Sequence, residues 1–190
     1  IQPLKVYKTS MRPGYKNLSI SDIQTNEYPH ENITTCLLKK NQPILKINYS
    51  NIKCDWNGVP KLVFAHKMYG FPYMDISGEC GISTRDNYVF LSDGLPNLEG
   101  GLDNLVDIQK YLSSKFALFI FGTTNYRMRY LERYAFEFIP DIRKIEGFSL
   151  KYLDNSKKID NYLWDFFKFT EREREIIDNF SRNYCFFIDQ

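Results

Sequence analysis

The carboxylates that could support metal-dependent chemistry form two sets, Asp75 with Glu79, and Asp141 after Pro140. A metal-dependent nuclease needs clustered carboxylates and a nearby lysine, because together they hold the ion and position the attacking water. Neither set is followed by a Glu-x-Lys element at a convincing spacing. A restriction endonuclease is therefore the less favoured enzyme interpretation, and the sequence predicts no catalytic residue in this chain.

Cysteine and histidine are too scattered to predict a metal site. The chain has four cysteines, none of them in a Cys-x-x-Cys motif, and only two histidines. We expect reduced, mostly buried thiols, as in a cytosolic protein. His66 ends an apolar segment, a position more typical of a structural hydrogen-bonding histidine than of a catalyst. Glycine-rich phosphate loops, His-Glu-x-x-His and Gly-x-Ser-x-Gly are also absent from the sequence, so we expect no cofactor in this chain.

Basic and tyrosine residues at helical spacing are the strongest candidates for phosphate contacts. A stripe of Met128, Leu131, Ala135 and Phe138 predicts a helix over residues 125–138, ended by Pro140. Its opposite face would carry Tyr126, Arg129, Tyr130, Arg133 and Glu137. Arginines four residues apart repel each other unless an anion lies between them, and tyrosines can donate to phosphate. The alternative is an ordinary solvated face on which Arg133 pairs with Glu137.

Charge is unevenly distributed along a chain whose net charge is +2. Residues 1–67 carry 10 basic and 4 acidic side chains, and residues 68–109 carry 1 and 7. Residues 110–153 carry 8 and 4, and residues 154–190 carry 6 and 8. Two basic blocks separated by an acidic connector can form a patch that attracts phosphate, although such fluctuations also arise by chance.

The sequence patterns of the elements that would position these residues predict an α+β fold. A β-rich N-terminal half, 1–102, is followed by a helical C-terminal half, 103–190. Short β-branched or aromatic runs predict strands in the first half. Apolar residues at three- and four-residue spacing predict one helix from Asp103 to Gly122, and Thr170 with Glu173 forms a capping box before another. The predicted strands are 4–7, 44–49, 61–65 and 88–91.

The chain has no apolar run long enough to cross a membrane, because its longest, residues 116–121, covers six residues. It starts at Ile1 rather than at a methionine, which suggests an excised fragment or a processed product. We therefore expect a protein without a membrane partner that forms part of a larger polypeptide.

Three stretches carry a resemblance to a known family. The first runs from Lys61-Leu-Val-Phe through Asp75, Gly78, Gly81 and Ser83-Thr84 to Tyr88. The second is Tyr111-Leu-Ser-Ser-Lys115-Phe-Ala-Leu-Phe, and the third joins Phe138-Ile-Pro-Asp141-Ile to Leu163-Trp-Asp-Phe-Phe-Lys-Phe-Thr170-Glu-Arg-Glu. In this order they resemble the C-terminal target-recognition region of adenine-specific DNA methyltransferases of type II and type IIG restriction-modification systems, including viral relatives. The resemblance covers about residues 61–183.

The resemblance implies a module that recognises double-stranded DNA beside a catalytic methyltransferase domain of the same polypeptide, in the cytoplasm of a bacterial or virus-infected cell. In that family a Rossmann-like domain binds S-adenosylmethionine, and an Asn-Pro-Pro-Tyr motif holds the flipped adenine. This chain has no Pro-Pro pair, so methyl transfer would depend on a domain outside it. The chain also departs from the family pattern by inserting the arginine-bearing segment 127–133.

The expected DNA contacts combine basic residues at the backbone with loop side chains at base edges. Arg85 is favoured for base reading because it lies at a glycine-rich bend; the alternative is a surface ion pair with Asp86 or Glu79. The other general alternative is a protein-interaction or scaffold domain without nucleic-acid binding, since the chain is nearly neutral and rich in aromatics. The predicted DNA-binding residues are Lys67, Tyr69, Arg85, Asn87, Lys115, Tyr126, Arg127, Arg129, Tyr130 and Arg133.

Overall fold

The computed structural model describes residues 2–39, 42–67, 71–92, 101–124 and 130–181. The fold is α+β, with strands mostly in the N-terminal half and helices in the C-terminal half, as the sequence predicts. None of the helices in these ranges is both long and apolar enough to span a membrane. The strands are β1 Ile20–Ser21, β2 His30–Lys39, β3 Gln42–Ser50, β4 Lys61–Ala65, β5 Pro72–Asp75, β6 Gly81–Ile82 and β7 Asn87–Phe90.

The strands form two sheets. The first has the order β1-β3-β2-β6, in which β2 and β3 are a long antiparallel pair and β6 is parallel to β2. A bulge interrupts the register of β2 between Ile33 and Thr35. The second sheet has the order β5-β4-β7 and is antiparallel throughout. The predicted strand 4–7 is instead an extended segment with a single bridge, between Tyr7 and Val89.

The central strand β4 is buried on both faces, which explains its continuous apolar sequence. Leu62 and Phe64 pack in the largest core cluster, together with residues of the helices, such as Leu105 and Ile108. Val63 faces the other way and packs with Ile33 of the first sheet. The β-rich and helical halves therefore share one core around this strand.

Four α-helices are described, and the predicted helix from Asp103 to Gly122 is divided into two of them. The division falls at Ser113 and Ser114, because Ser114 has an extended backbone and its hydroxyl accepts from Ala117 N as the N-cap of the second helix. The capping box is confirmed, with Thr170 N donating to Glu173 Oε2 at 2.7 Å. The helices are α1 Gly101–Leu112, α2 Lys115–Thr123, α3 Ser156–Phe166 and α4 Glu171–Ser181.

The predicted α-helix over residues 125–138 is wrong for the part that the structure describes. Tyr130 forms a β-bridge, and Arg133–Phe138 is a 3₁₀ helix. Tertiary pairing accounts for the difference, because Leu131 N donates to the carbonyl of His66 and holds this segment extended. The predicted apolar stripe changes accordingly: Phe136 is buried, whereas Phe138 is 59% exposed. Residues 125–129 of the prediction lie outside the described ranges.

Candidate nucleic-acid interface

The best candidate interface lies at one end of the three-stranded sheet. Ala65, the last residue of β4, pairs with Asn87, the first residue of β7. Residues after β4 and before β7 therefore meet at the same end, which carries both Lys67 and Arg85. Tyr130 joins them through its β-bridge with Lys67. We call this region the sheet-end surface; its polar members are Lys8, His66, Lys67, Arg85, Asp86, Tyr130 and Glu132.

His66 is the centre of this surface. Its backbone N donates to Asp86 O at 2.8 Å, and its ring lies 4.6 Å from the Tyr130 ring, centre to centre. Burial lowers the pKa of His66; Asp86 opposes this shift, whereas Lys8 and Lys67 lower the pKa further. The imidazole is therefore neutral at pH 7, and its Nε2, 3.6 Å from Asp86 Oδ1, makes a polar contact rather than a full ion pair.

Lys8 reaches the surface from the N-terminal segment. The bridge between Tyr7 and Val89 fixes its backbone, and its Nζ lies 4.8 Å from the centre of the Tyr88 ring. Burial lowers the pKa of Lys8, while the carboxylates of Asp86 and Glu132 act in the opposite direction. No sequence motif connects Lys8 to residues 66–86, which is why sequence reasoning missed it.

Arg85 and Arg133 supply further positive charge. Both are exposed, and the Arg133 guanidinium donates to the carbonyl of Val6 at 3.4 Å. No ion pair joins Arg85 to Asp86 or Glu79, although the structure describes all three residues. The sheet-end surface thus has three basic side chains, Lys8, Lys67 and Arg85, and two carboxylates, Asp86 and Glu132. Arg133, which follows Glu132 in the chain, adds a fourth basic side chain beside it.

Several predicted contact residues lie elsewhere. Asn87 is fully buried, and its amide nitrogen donates to the carbonyls of Ile33 and Thr34, at 3.5 and 3.0 Å. Lys115 begins α2 and pairs with Asp178 of α4 at 2.6 Å. Neither belongs to the sheet-end surface, so we leave both out of the interface. The remaining predicted residues, Tyr69, Tyr126, Arg127 and Arg129, lie outside the described ranges.

Two of the three acids considered for a nuclease, Asp75 and Asp141, make structural contacts. Asp75 is 3% exposed and accepts from Lys61 and from the backbone N–H groups of Gly78 and Cys80. The Asp141 carboxylate receives two hydrogen bonds from the Arg143 guanidinium, both 2.7 Å. Within the described ranges, no group of three or more His, Cys, Asp or Glu side chains could hold a metal ion. The contacts of Asp75 and Asp141 are of the kind that stabilise a fold.

The two glycines of the bend before β6 serve backbone packing. Gly78 has φ +71°, and a Cβ there would lie 2.5 Å from the carbonyl carbon of Val59. At Gly81 a Cβ would lie 2.5 Å from Asn32 Oδ1 and 2.9 Å from Cys54 Cβ. Both positions exclude larger side chains because neighbouring chain segments approach closely.

The chain matches no protein-family model, and neither a curated protein nor a solved structure matches it.

Proposed function

We propose that this chain binds double-stranded DNA through the sheet-end surface, as the target-recognition part of an adenine-specific DNA methyltransferase. The main supporting observation is that Lys67, Arg85 and Tyr130 come together at one end of the β5-β4-β7 sheet. The sequence predicts each of these three residues as a DNA contact, Tyr130 from its helical spacing and Lys67 and Arg85 from the family resemblance. Lys8 and Arg133 add charge from two other segments.

The chemistry of the surface fits a phosphate backbone. Lysine and arginine side chains neutralise phosphates and release counterions, and a tyrosine hydroxyl can donate to a phosphate oxygen. Tyr130 is 42% exposed, and its ring is held by His66. Arg85 is the residue we assign to base reading, because a guanidinium can donate two hydrogen bonds to guanine.

Methyl transfer is assigned to a separate domain of the same polypeptide. The chain has no Pro-Pro pair of the kind that holds a flipped adenine in that family. S-adenosylmethionine would bind to that other domain, and the complete protein would act in the cytoplasm of a bacterial or virus-infected cell. The contribution of this chain would be to position the catalytic domain on its target sequence.

Titrating a labelled mixed-sequence duplex with the protein at about 50 and 200 mM salt tests the proposal. We expect binding at low salt that weakens as salt rises, and a loss of about tenfold or more in affinity for the double variant Lys67→Glu, Arg85→Glu. The matched control is Lys157→Glu, which changes an exposed lysine on α3. If the wild-type protein binds no duplex at low salt, the proposal is wrong, and the protein-interaction alternative is favoured.

A further inference from the structure

His66 is the residue of the sheet-end surface whose charge can change near neutral pH, because histidine titrates between about pH 5 and pH 8. Its backbone is fixed on both sides, by the hydrogen bond to Asp86 O and by the one that its own carbonyl accepts from Leu131 N. The Tyr130 ring packs against the imidazole. The side chain is still 17% exposed, so solvent protons can reach a ring that is held in place.

Charged side chains approach the imidazole from every segment that packs against it. Burial is the largest influence and lowers the pKa of His66. Among the charged groups, two carboxylates raise this pKa and two ammonium groups lower it. A guanidinium lies beside one of the ammonium groups. The carboxylates are those of Asp86 and Glu132, the ammonium groups those of Lys8 and Lys67, and the guanidinium that of Arg85.

Protonation of His66 would change the charge of the surface that a phosphate meets. With a neutral imidazole, three basic side chains and two carboxylates give the sheet-end surface a charge of +1, and an imidazolium raises it to +2. The imidazole Nε2 lies 3.6 Å from Asp86 Oδ1. An imidazolium there would pair with the carboxylate, so that Asp86 repels a phosphate less.

We propose that the sheet-end surface binds duplex DNA together with a proton, which His66 takes up from solvent. This inference rests on the DNA-binding function proposed above. A phosphate held by Lys8 and Lys67 offsets the two cations that disfavour the imidazolium, and its own negative charge attracts the imidazolium. DNA binding and protonation therefore favour each other, because the coupling between two bound species is reciprocal.

The coupling predicts the direction and the range of a pH dependence. The protonated protein binds DNA more tightly by the same factor by which DNA raises the proton affinity of His66. A rise of about one pKa unit on binding corresponds to about a tenfold gain in affinity. The ordinary pKa of histidine is 6.5 and burial lowers that of His66, so most of the gain should occur as the pH falls from about 7 to about 5.

The experiment measures the affinity for the labelled mixed-sequence duplex at about 50 mM salt and at several pH values from about 5 to 8. It compares the wild-type protein with His66→Gln, which keeps a polar side chain but cannot gain a proton. The matched control is His30→Gln, because His30 is the other histidine of the chain and begins β2. We expect the affinity of the wild-type protein and of His30→Gln to rise about tenfold as the pH falls, and that of His66→Gln to rise clearly less.

An NMR titration of the wild-type protein reads the same coupling without a variant at His66. The imidazole C–H signals are followed across this pH range with and without the unlabelled duplex, and His30→Gln assigns them. We expect the duplex to raise the pKa of His66 by about one unit and to leave that of His30 unchanged.

The outcomes separate the two proposals. A pH dependence that is the same for the wild-type protein and His66→Gln overturns the inference and leaves the DNA-binding function standing. So does a pKa of His66 that the duplex does not raise. A purely structural role of His66 is recognised by an affinity loss in His66→Gln that is equal at every pH, and this result also overturns the inference. Failure of the wild-type protein to bind the duplex at every pH overturns both proposals.

Discussion

Lys61 Nζ lies 2.6 Å from Asp75 Oδ2, and the two side chains are 0% and 4% exposed. The residues are register partners on β4 and β5. The carbonyls of Trp56, Val59 and Cys80 also lie within hydrogen-bond distance of this ammonium group, whose three N–H donors they share with Asp75. The pair thus fastens the loop before β4 and the bend after β5 to the end of the sheet opposite the sheet-end surface.

Replacing Lys61 by alanine should lower the free energy of unfolding by about 3–5 kcal/mol, because it leaves the buried Asp75 carboxylate without its cation. Urea denaturation measures the change. The matched control is Lys151→Ala, which removes an ion pair with Asp103 whose side chains are 51% and 54% exposed. That change should cost much less, because an exposed ion pair is screened by solvent. Equal effects of the two variants would show that the buried pair is not a main source of stability.

Gly78→Ala should destabilise the protein more than Gly147→Ala. Both glycines have positive φ, +71° and +75°, so each variant bears the strain of a left-handed residue, about 1–2 kcal/mol. Only at Gly78 does the new Cβ also collide with backbone, at 2.5 Å from Val59, whereas nothing lies within 4 Å at Gly147. The two unfolding free energies, measured under the same conditions, should therefore differ; similar values would contradict the close approach of the bend to the loop.

Asn87→Ala should weaken folding and leave the DNA affinity of the folded protein unchanged. The variant removes the donor that serves two carbonyls beside the bulge of β2, at a cost of about 1–3 kcal/mol. Asn161→Ala, on the exposed face of α3, is the control and should change stability by less than about 0.5 kcal/mol. A drop in DNA affinity without loss of stability would instead assign Asn87 to the interface.

The pH dependence of stability should differ between the wild-type protein and Asp160→Asn. Burial is the largest influence on Asp160 and raises its pKa from 3.8 to about 6, against the hydrogen bond from Lys115 N. The folded state thus binds this proton more tightly than the unfolded state, and stability is lost as pH rises through about 6. Relative to the wild-type protein, Asp160→Asn should gain up to about 3 kcal/mol between pH 4 and pH 7.

Asp154→Asn provides a control of opposite sign for this measurement. The hydrogen bond from Lys158 lowers the pKa of the exposed Asp154 carboxyl, so its ionised form stabilises the folded state. That contribution is present above the unfolded pKa and is lost as pH falls. Denaturation curves for the three proteins from about pH 2 to pH 8 distinguish the two directions, because the Asp154 contribution changes only below its unfolded pKa of 3.8. A constant difference between Asp160→Asn and the wild-type protein would rule out a raised pKa at Asp160.

Local sequence signals were sufficient to predict those elements whose structure depends only on their own residues. The strand Lys61–Ala65 has the predicted bounds, because a run buried on both faces is apolar throughout. The capping box of Thr170 and Glu173 was predicted because its hydrogen bonds join residues three positions apart. The order of strands before helices, and hence the α+β class, followed from the same periodicities.

Only the tertiary structure decided which residues form the sheet-end surface. The helical period of residues 131–138 is a local signal, and the pairing of Lys67 with Tyr130 and of His66 with Leu131 overrode it. The sequence predicts that the polar residue Asn87 is exposed, yet it is buried in the structure. Its side-chain amide donates to the carbonyl of Thr34, at the bulge of the distant strand β2. Lys8 reaches the surface through the bridge between Tyr7 and Val89, which also joins distant segments of the chain. Contacts between segments far apart in the chain depend on the packing of the whole fold, and no periodicity within a single segment encodes them.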